Sequence, residues 1–227
     1  VLAEKMASPD ATVESLVGVG LSVRAQRNPE DAVPHLAKAL KLCRRSDLRN
    51  RLGFVNWAMG GTYRFCGDLR KAKQHFGIAL KAATKQGDTI GAGYALCGLG
   101  GVARLMGDFE LTQEYYEEAN AIFDVESDRY GRAYSFCGLG NAARMREDFT
   151  LSLRLFGRAE RLYSGIGDKA SFAYTLWAMG TVNKMRGDYA RSARTFDRAS
   201  ELFRATKDRR GLVYCRLGKG ELAFLEG

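Results

Sequence analysis

A column of basic residues at intervals of 40 is the part of the sequence best suited to bind a charged ligand. We call it the basic column, and its members are Arg24, Arg64, Arg104, Arg144 and Lys184. An arginine guanidinium donates two parallel hydrogen bonds to one carboxylate, whereas a lysine ammonium acts as a point charge. The chain has a net charge of +9, and the basic column supplies five positive charges. The pattern predicts an acidic ligand along this column.

Aromatic residues share one helix face with the basic column. Tyr94, Cys97, Gly101 and Arg104 follow one another at spacings of three, four and three, which places them on one side of a helix. A stripe that ends in arginine must open to water, so we expect this face to bind the ligand. The predicted contact residues are Tyr94, Tyr134, Tyr174, Trp57, Trp177, Arg64, Arg104, Arg144 and Lys184.

Two alternatives to ligand binding stay open for these residues. Tyrosines repeated at a fixed interval also serve to pack neighbouring repeats, with their hydroxyls directed to water or to a neighbour. The basic column can instead pair with aspartates four positions later in the chain, although arginine before aspartate is the weaker order on a helix. Those aspartates are Asp68, Asp108, Asp148 and Asp188.

The residue types that catalysis and metal binding require do not cluster. His35 and His75 are the only histidines, and their spacing of 40 marks them as surface copies of one ancestral residue. The five cysteines form no Cys-x-x-Cys pair, which favours free thiols in a reducing compartment, the cytoplasm. Cys97 and Cys137 occupy equivalent positions and would lie about 10 Å apart, too far for a disulfide, if neighbouring first helices pack at ordinary distances. We expect both thiols in the wall of a groove formed by the ligand-binding face. The sequence predicts no enzymatic site, no metal and no cofactor.

The chain is organised as a repeat of 40 residues. Glycines at multiples of 40, each with a small residue two positions earlier, set the register: Gly20, Gly60, Gly100, Gly140, Gly180 and Gly220. Large apolar residues follow in the same phase at Leu36, Phe76, Tyr116, Phe156 and Phe196. Repeats of this length each form one unit that buries its apolar face against its neighbours.

Each repeat contains two stretches of apolar residues at helical spacing, so it is predicted to form two helices. Asp88, Asp128, Asp168 and Asp208 precede the first helices as capping residues, and a Gly-Asp turn joins the two helices of a repeat. The first helices are predicted near 48–66, 88–106, 128–146, 168–186 and 208–225. The second helices are predicted near 69–86, 109–126, 149–166 and 189–206, after an initial pair at 11–27 and 29–45.

The predicted core follows the apolar columns of both helices. Leu99 and Leu139 represent the first helices, whereas Phe76, Phe156 and Phe196 represent the second. Ala79 and Ala199 follow three residues after two of these phenylalanines, on the same helix face. We expect all seven side chains to be buried.

The order of small residue, Gly-Asp, Ala72, Phe76 and Ala79 resembles the tetratricopeptide repeat, and Cys137-Gly138-Leu139-Gly140-Asn141 resembles its 40-residue Leu-Gly-Asn subtype. The resemblance runs from about residue 11 to the end, and it adds Asn141 to the predicted groove. It implies an all-α, right-handed superhelix of antiparallel helix pairs with a concave binding surface. The proline usual after the second helix is absent. We expect one domain over residues 1–227, with about five and a half repeats, as a fragment of a longer array.

The resemblance implies a protein that binds other proteins. We expect a non-catalytic scaffold that holds an acidic peptide or protein segment in its groove, with no membrane insertion. An alternative is binding to the backbone of a single-stranded nucleic acid, which the basic composition and the aromatic residues favour. A third interpretation is the sensor or assembly module of a larger regulator. The sequence does not specify the oligomeric state.

Overall fold

The structure, a computed structural model, describes residues 8–26 and 28–226. Within these ranges it contains eleven α-helices, two short 3-10 helices and no strand, so the predicted all-α helical-repeat fold is confirmed. The helices are α1 (Pro9–Gln26), α2 (Val33–Arg45), α3 (Leu52–Phe65), α4 (Leu69–Gln86), α5 (Thr89–Leu105), α6 (Phe109–Val125), α7 (Arg129–Met145), α8 (Phe149–Ile166), α9 (Lys169–Met185), α10 (Tyr189–Ala205) and α11 (Arg209–Glu226).

The helices alternate as predicted between first helices (odd numbers) and second helices (even numbers). Their observed bounds lie close to the predicted ones, except that α2 and α3 begin later. The 3-10 helix Pro29–Ala32 precedes α2, and the 3-10 helix Arg49–Arg51 precedes α3. Leu48 stands where the other first helices have a capping aspartate, and it provides no side-chain cap. Without that acceptor the first turn forms a 3-10 helix rather than an α-helix.

Aspartates cap both kinds of helix, as the sequence predicted. Asp68 accepts a hydrogen bond from the Lys71 amide at 3.0 Å at the start of α4, and Asp88 accepts one from the Gly91 amide at 2.8 Å in α5. The same contact is made by Asp108, Asp128, Asp148, Asp168, Asp188 and Asp208. Each such cap typically stabilises a helix by about 1 kcal/mol.

A residue in the left-handed conformation precedes each of these aspartates. Five are glycines, with φ between 69° and 84°: Gly67, Gly87, Gly107, Gly167 and Gly187. Ser127, Glu147 and Lys207 adopt the same conformation with φ of 58°, 62° and 56°. Residues other than glycine are strained there, so these turns are held by the flanking helices.

The glycine columns seat the large side chains of the second helices. A Cβ atom on Gly60 would lie 2.9 Å from the Phe76 ring, and one on Gly98 would overlap the same ring. Phe76 therefore sits between two consecutive first helices at positions where only glycine fits. Phe196 is held in the same way between Gly180 and Gly218, each of whose Cβ atoms would approach its ring to 2.7 Å.

The predicted core is buried with one exception. Leu99, Phe76, Phe156, Phe196, Ala79 and Ala199 are all at most 5% exposed. Leu139 is only half-buried, so its prediction is wrong. It lies at the margin of the cluster around Phe136 and Tyr163 rather than inside it.

The chain divides into two compact units, Val1–Ile122 and Phe123–Gly227. In the first unit, one cluster packs Leu36 against Val55, and another packs Phe76 against Leu99. In the second unit, Phe156 packs against Val182, and Phe203 belongs to a separate cluster. The single domain expected from the sequence stays a prediction.

Candidate ligand-binding surface

In the first unit, the basic column reaches across glycines of the next first helix. Arg24 and Arg64 are half-buried in the last turns of α1 and α3. A Cβ atom on Gly61 would lie 2.5 Å from Nη1 of Arg24, and one on Gly101 would overlap Nη1 of Arg64. Both glycines stand 37 residues after the arginine they face. Because they lack side chains, each guanidinium lies directly against helix backbone.

In the second unit, polar residues stand at the repeat position that Gly61 and Gly101 hold in the first: Asn141, Thr181 and Glu221. Arg144 donates from Nη2 to Oδ1 of Asn141 at 3.3 Å, within its own helix. Lys184 forms an ion pair with Glu221, which stands 37 residues later, where the first unit has glycine. The Lys184 side chain is only 17% exposed, whereas Glu221 is 59% exposed. Lys184 thus binds a carboxylate that α11 supplies.

The turn aspartates have another structural role. They accept backbone N–H groups at the starts of the second helices, and Asp68 also binds the Lys71 ammonium at 2.8 Å. At Lys184 the internal partner is Glu221, whereas Asp188 accepts the Arg191 amide at 3.1 Å. The capping contact accounts for the regular spacing of these aspartates.

An exposed apolar residue directly follows each of four members of the basic column, and a fifth follows in α11. We call these residues the apolar column; they are 41–50% exposed. Its members are Phe65, Leu105, Met145, Met185 and Leu225. Sequence reasoning missed this column because the periodicity of a helix does not say whether its last residue is covered. The available signal was the recurrence of large apolar residues at intervals of 40.

The basic column and the apolar column touch within each unit. In the first unit, the guanidinium carbon of Arg24 lies 5.4 Å from the centre of the Phe65 ring, and that of Arg64 lies 6.0 Å away. In the second unit, Nη1 of Arg144 lies 3.9 Å from Sδ of Met185. A cation from one repeat therefore rests on the apolar residue of the next.

A shallow pocket surrounds the Lys184–Glu221 pair in the second unit. Its volume is about 680 Å³, and Leu217 and Leu225 contribute apolar walls. The pocket thus places an ion pair beside apolar side chains, as the contacts between the basic column and the apolar column do.

The predicted aromatic contact residues of the second unit make internal contacts. The Tyr174 hydroxyl donates to Oδ2 of Asp208 at 2.8 Å, accepts from Nε of Arg210 at 3.2 Å, and its ring packs edge-on against Phe203. Burial raises the pKa of Tyr174. Trp177 stacks on Tyr214 with ring centres 5.2 Å apart, and Tyr134 is half-buried. These contacts agree with the packing alternative for Tyr174 and Trp177.

In the first unit, Trp57 donates from Nε1 to the carbonyl of Tyr94 at 3.3 Å and stacks on Phe54. The hydrogen bond links two consecutive first helices. Tyr94 is half-buried, as is Arg104 at the end of α5. Trp57 is half-buried as well, and the ligand contacts of these three residues stay predictions.

Comparison with known proteins gives one family match and several structural ones. The tetratricopeptide repeat model matches residues 91–165, about a third of the chain. Residues 91–165 are similar to tetratricopeptide repeats. No curated protein matches the chain.

Solved structures extend the tetratricopeptide-like fold over the chain. BtubC (BKLC) from P. vanneervenii is 19% identical with a TM-score of 0.66, covering 92% of this chain and 93% of that one. A Rap protein complexed with Competence and Sporulation Factor is 14% identical with a TM-score of 0.82, covering 90% of this chain and 59% of that one. Repeats of a Podosopora anserina putative kinesin light chain are 13% identical with a TM-score of 0.62, covering 89% and 99%. At these identities the likeness establishes the fold alone.

Two expectations for the tetratricopeptide-like repeats need correction. Cys97 is buried, 1% exposed, so it does not line an open groove wall. Cys137 contacts the Thr175 hydroxyl at 3.4 Å, and burial raises the pKa of its thiol to about 11. His75 is half-buried rather than on the surface, because Nδ1 lies 2.9 Å from Oδ1 of Asn56 and its ring stacks on Tyr63.

Among residues 8–26 and 28–226, no group of three or more His, Cys, Asp and Glu side chains could hold a metal ion. Over the same part of the chain, none of the helices has the length and apolar character needed to cross a membrane.

Proposed function

We propose that the protein is a non-catalytic scaffold that binds an acidic peptide or protein segment along the basic column, in the concave groove formed by the first helices. The observation that carries the proposal is the Lys184–Glu221 ion pair, in which a member of the basic column already holds a carboxylate. A carboxylate from another chain could bind the arginines of the column in the same way, and with two hydrogen bonds each.

Geometry supports an extended ligand. Neighbouring helices pack about 10 Å apart, and about three residues of an extended chain at about 3.3 Å each cover that distance. Within each unit, one acidic side chain can therefore meet each neighbouring member of the basic column. Partial pairing within the chain does not prevent this, because exposed ion pairs are worth about 0–1 kcal/mol and exchange readily.

The comparisons with solved structures support a protein or peptide as the partner. One structural neighbour, the Rap protein, was solved in complex with Competence and Sporulation Factor.

We also propose that the repeats are of the 40-residue Leu-Gly-Asn kind and that the protein acts in the cytoplasm. All five cysteines are free in the structure, which suits a reducing compartment.

Charge reversal at Arg104 and Arg144 together tests the proposal. We expect the double variant to lose binding to a glutamate-rich peptide, measured by calorimetry, while helicity and melting temperature stay nearly unchanged. The matched control reverses Lys81 and Lys85, two exposed cations of α4, and changes the net charge equally. Wild-type affinity in the Arg104 and Arg144 variant would refute the proposal.

A second probe separates protein from nucleic-acid ligands. Single-stranded oligothymidine is titrated at low and high salt beside the glutamate-rich peptide. Binding of the peptide alone supports the proposal. Binding of the oligonucleotide alone, with a steep loss of affinity as salt rises, would replace it by backbone-directed nucleic-acid binding.

A further inference from the structure

The apolar column is not explained by charge recognition. Exposing large apolar side chains to water at the ends of the first helices does not stabilise the protein, and the fold does not require such side chains there. Ala25 holds the same repeat position at the end of α1, is exposed, and α1 forms nonetheless. Regularly placed exposed apolar side chains with a polar border are typical of surfaces that bind other proteins.

We infer that the partner is a segment whose acidic and apolar side chains alternate to match the two columns, an inference that rests on the proposed function. The contact of Arg24 with Phe65 and that of Arg144 with Met185 place a cation and an apolar group side by side in both units. A carboxylate that binds the cation brings the adjacent side chain of the ligand onto the apolar residue.

The repeat spacing specifies the pattern of the ligand. A polyproline II helix has three residues per turn and rises about 3.1 Å per residue, so it advances about 9 Å per turn. This matches the spacing of about 10 Å between packed helices. Every third residue of such a segment points the same way. The matching sequence is therefore a triplet of acidic, apolar and unconstrained residues.

Charge complementarity favours this occupant over a second copy of the chain. The apolar column borders cations along each unit, and the full chain carries a net charge of +9, so two copies that face each other across this surface repel. An acidic and apolar segment neutralises the cations and covers the apolar groups together.

The test uses two peptides of equal charge, one with repeated Glu-Leu-Ser triplets and one with repeated Glu-Ser-Ser triplets. We expect the wild-type protein to bind the leucine peptide at least tenfold more tightly. Replacing Phe65 and Leu105 by alanine, the residue at position 25, should remove most of that preference. The matched control, Ile90→Ala, removes an exposed apolar residue outside the column and should keep the preference.

The outcomes separate the inference about the apolar column from the proposal that the basic column binds an acidic ligand. One outcome is that the wild-type protein binds both peptides with equal affinity and loses both on charge reversal at Arg104 and Arg144. That result would overturn the inference about the apolar column and leave the proposal that the basic column binds the ligand. Failure to bind either peptide would overturn both. If the Phe65 and Leu105 variant changes the sedimentation of the protein alone from oligomer to monomer, the apolar column serves self-association and the inference is wrong.

Discussion

The two units present the same basic column in different surroundings. In the first unit, Arg24 and Arg64 lie against the glycines Gly61 and Gly101. In the second, Thr181 and Glu221 stand at the equivalent positions, and Glu221 binds Lys184. The comparison shows that cations repeated in sequence need not have the same neighbours. The residue 37 positions later decides whether helix backbone or a carboxylate of the next first helix lies beside the cation.

The difference has a direct consequence for affinity. At Lys184 a ligand carboxylate must displace Glu221, whereas a glycine, Gly101, stands at the equivalent position beside Arg64. Since Glu221 is 59% exposed, we expect the internal ion pair to be worth no more than about 1 kcal/mol. Because Gly61 and Gly101 carry no side chain, we expect a ligand carboxylate to have more room beside the cations of the first unit than beside Glu221 in the second.

The largest effect is expected in the core, where the two units are built alike. Phe156→Ala removes a ring that is fully buried in the second unit, and we expect it to lower the free energy of unfolding by about 3–5 kcal/mol. Chemical denaturation measures the change. Phe224→Ala is the control, because Phe224 is 87% exposed and should matter little. Unchanged stability of the Phe156 variant would show that the units are not packed by equivalent rings.

Two buried asparagines should respond oppositely in the two units. In the first unit, Asn56 donates to the Leu52 carbonyl at 2.8 Å and lies 2.9 Å from Nδ1 of His75, so Asn56→Ala should cost about 1–3 kcal/mol. In the second unit, Oδ1 of Asn183 is buried with no hydrogen-bond partner within the described residues, and Ala103 and Ala143 hold the same repeat position. Asn183→Ala should stabilise the protein by about 1 kcal/mol.

Thermal and chemical denaturation of both asparagine variants give the comparison. Equal destabilisation by the two substitutions would contradict it, since it would mean that the amide of Asn183 is as well satisfied as that of Asn56.

Removing the internal carboxylate should make the second unit resemble the first. Glu221→Gln releases Lys184, so we expect the affinity for the glutamate-rich peptide to rise by about threefold to fivefold, in keeping with an exposed pair worth up to about 1 kcal/mol. Adding Lys184→Gln should abolish the gain. A gain that survives in the double variant would show a general effect of net charge rather than release of Lys184.

The smallest effect concerns the turns. In the turn within a repeat, the first unit has Gly67 and Gly107 in the left-handed conformation, whereas the second has Glu147 there with φ of 62°. Glu147→Gly should stabilise the protein by about 0.5–1 kcal/mol, because relief of strain exceeds the entropy that glycine loses. Glu147→Ala, which keeps the Cβ atom, should bring no gain. A lower melting temperature for the glycine variant would contradict this.

The sequence predicted the features that depend on local spacing. The aspartate caps, the helix pairs and most of the core follow from residues a few positions apart, such as Asp88 and the Gly91 amide it binds. Contacts between repeats were not predictable. They depend on how far each helix is rotated about its axis, which decides whether Lys184 meets Asp188 or Glu221.

The same limit explains the errors in the candidate site. Cys97 was expected to be exposed and Leu139 to be buried. Helical periodicity does not give the rotation of a helix about its axis, which decides which residues face the neighbouring helices. The apolar column was overlooked for a related reason. Residues such as Phe65 end their helices, and burial at a helix end is set by the neighbouring repeat rather than by the helix itself.

The most direct test compares removal of the charge at one position in each unit. We expect Arg64→Gln to weaken binding of the glutamate-rich peptide by about tenfold, since it removes a side chain that can donate two hydrogen bonds to one carboxylate. Lys184→Gln should weaken it less than about threefold, because a ligand carboxylate must displace Glu221 to reach Lys184. Calorimetric titration of the two variants, at matched helicity, measures both. Equal losses, or a larger loss at Lys184, would contradict the proposal that an acidic ligand binds chiefly along the cations of the first unit.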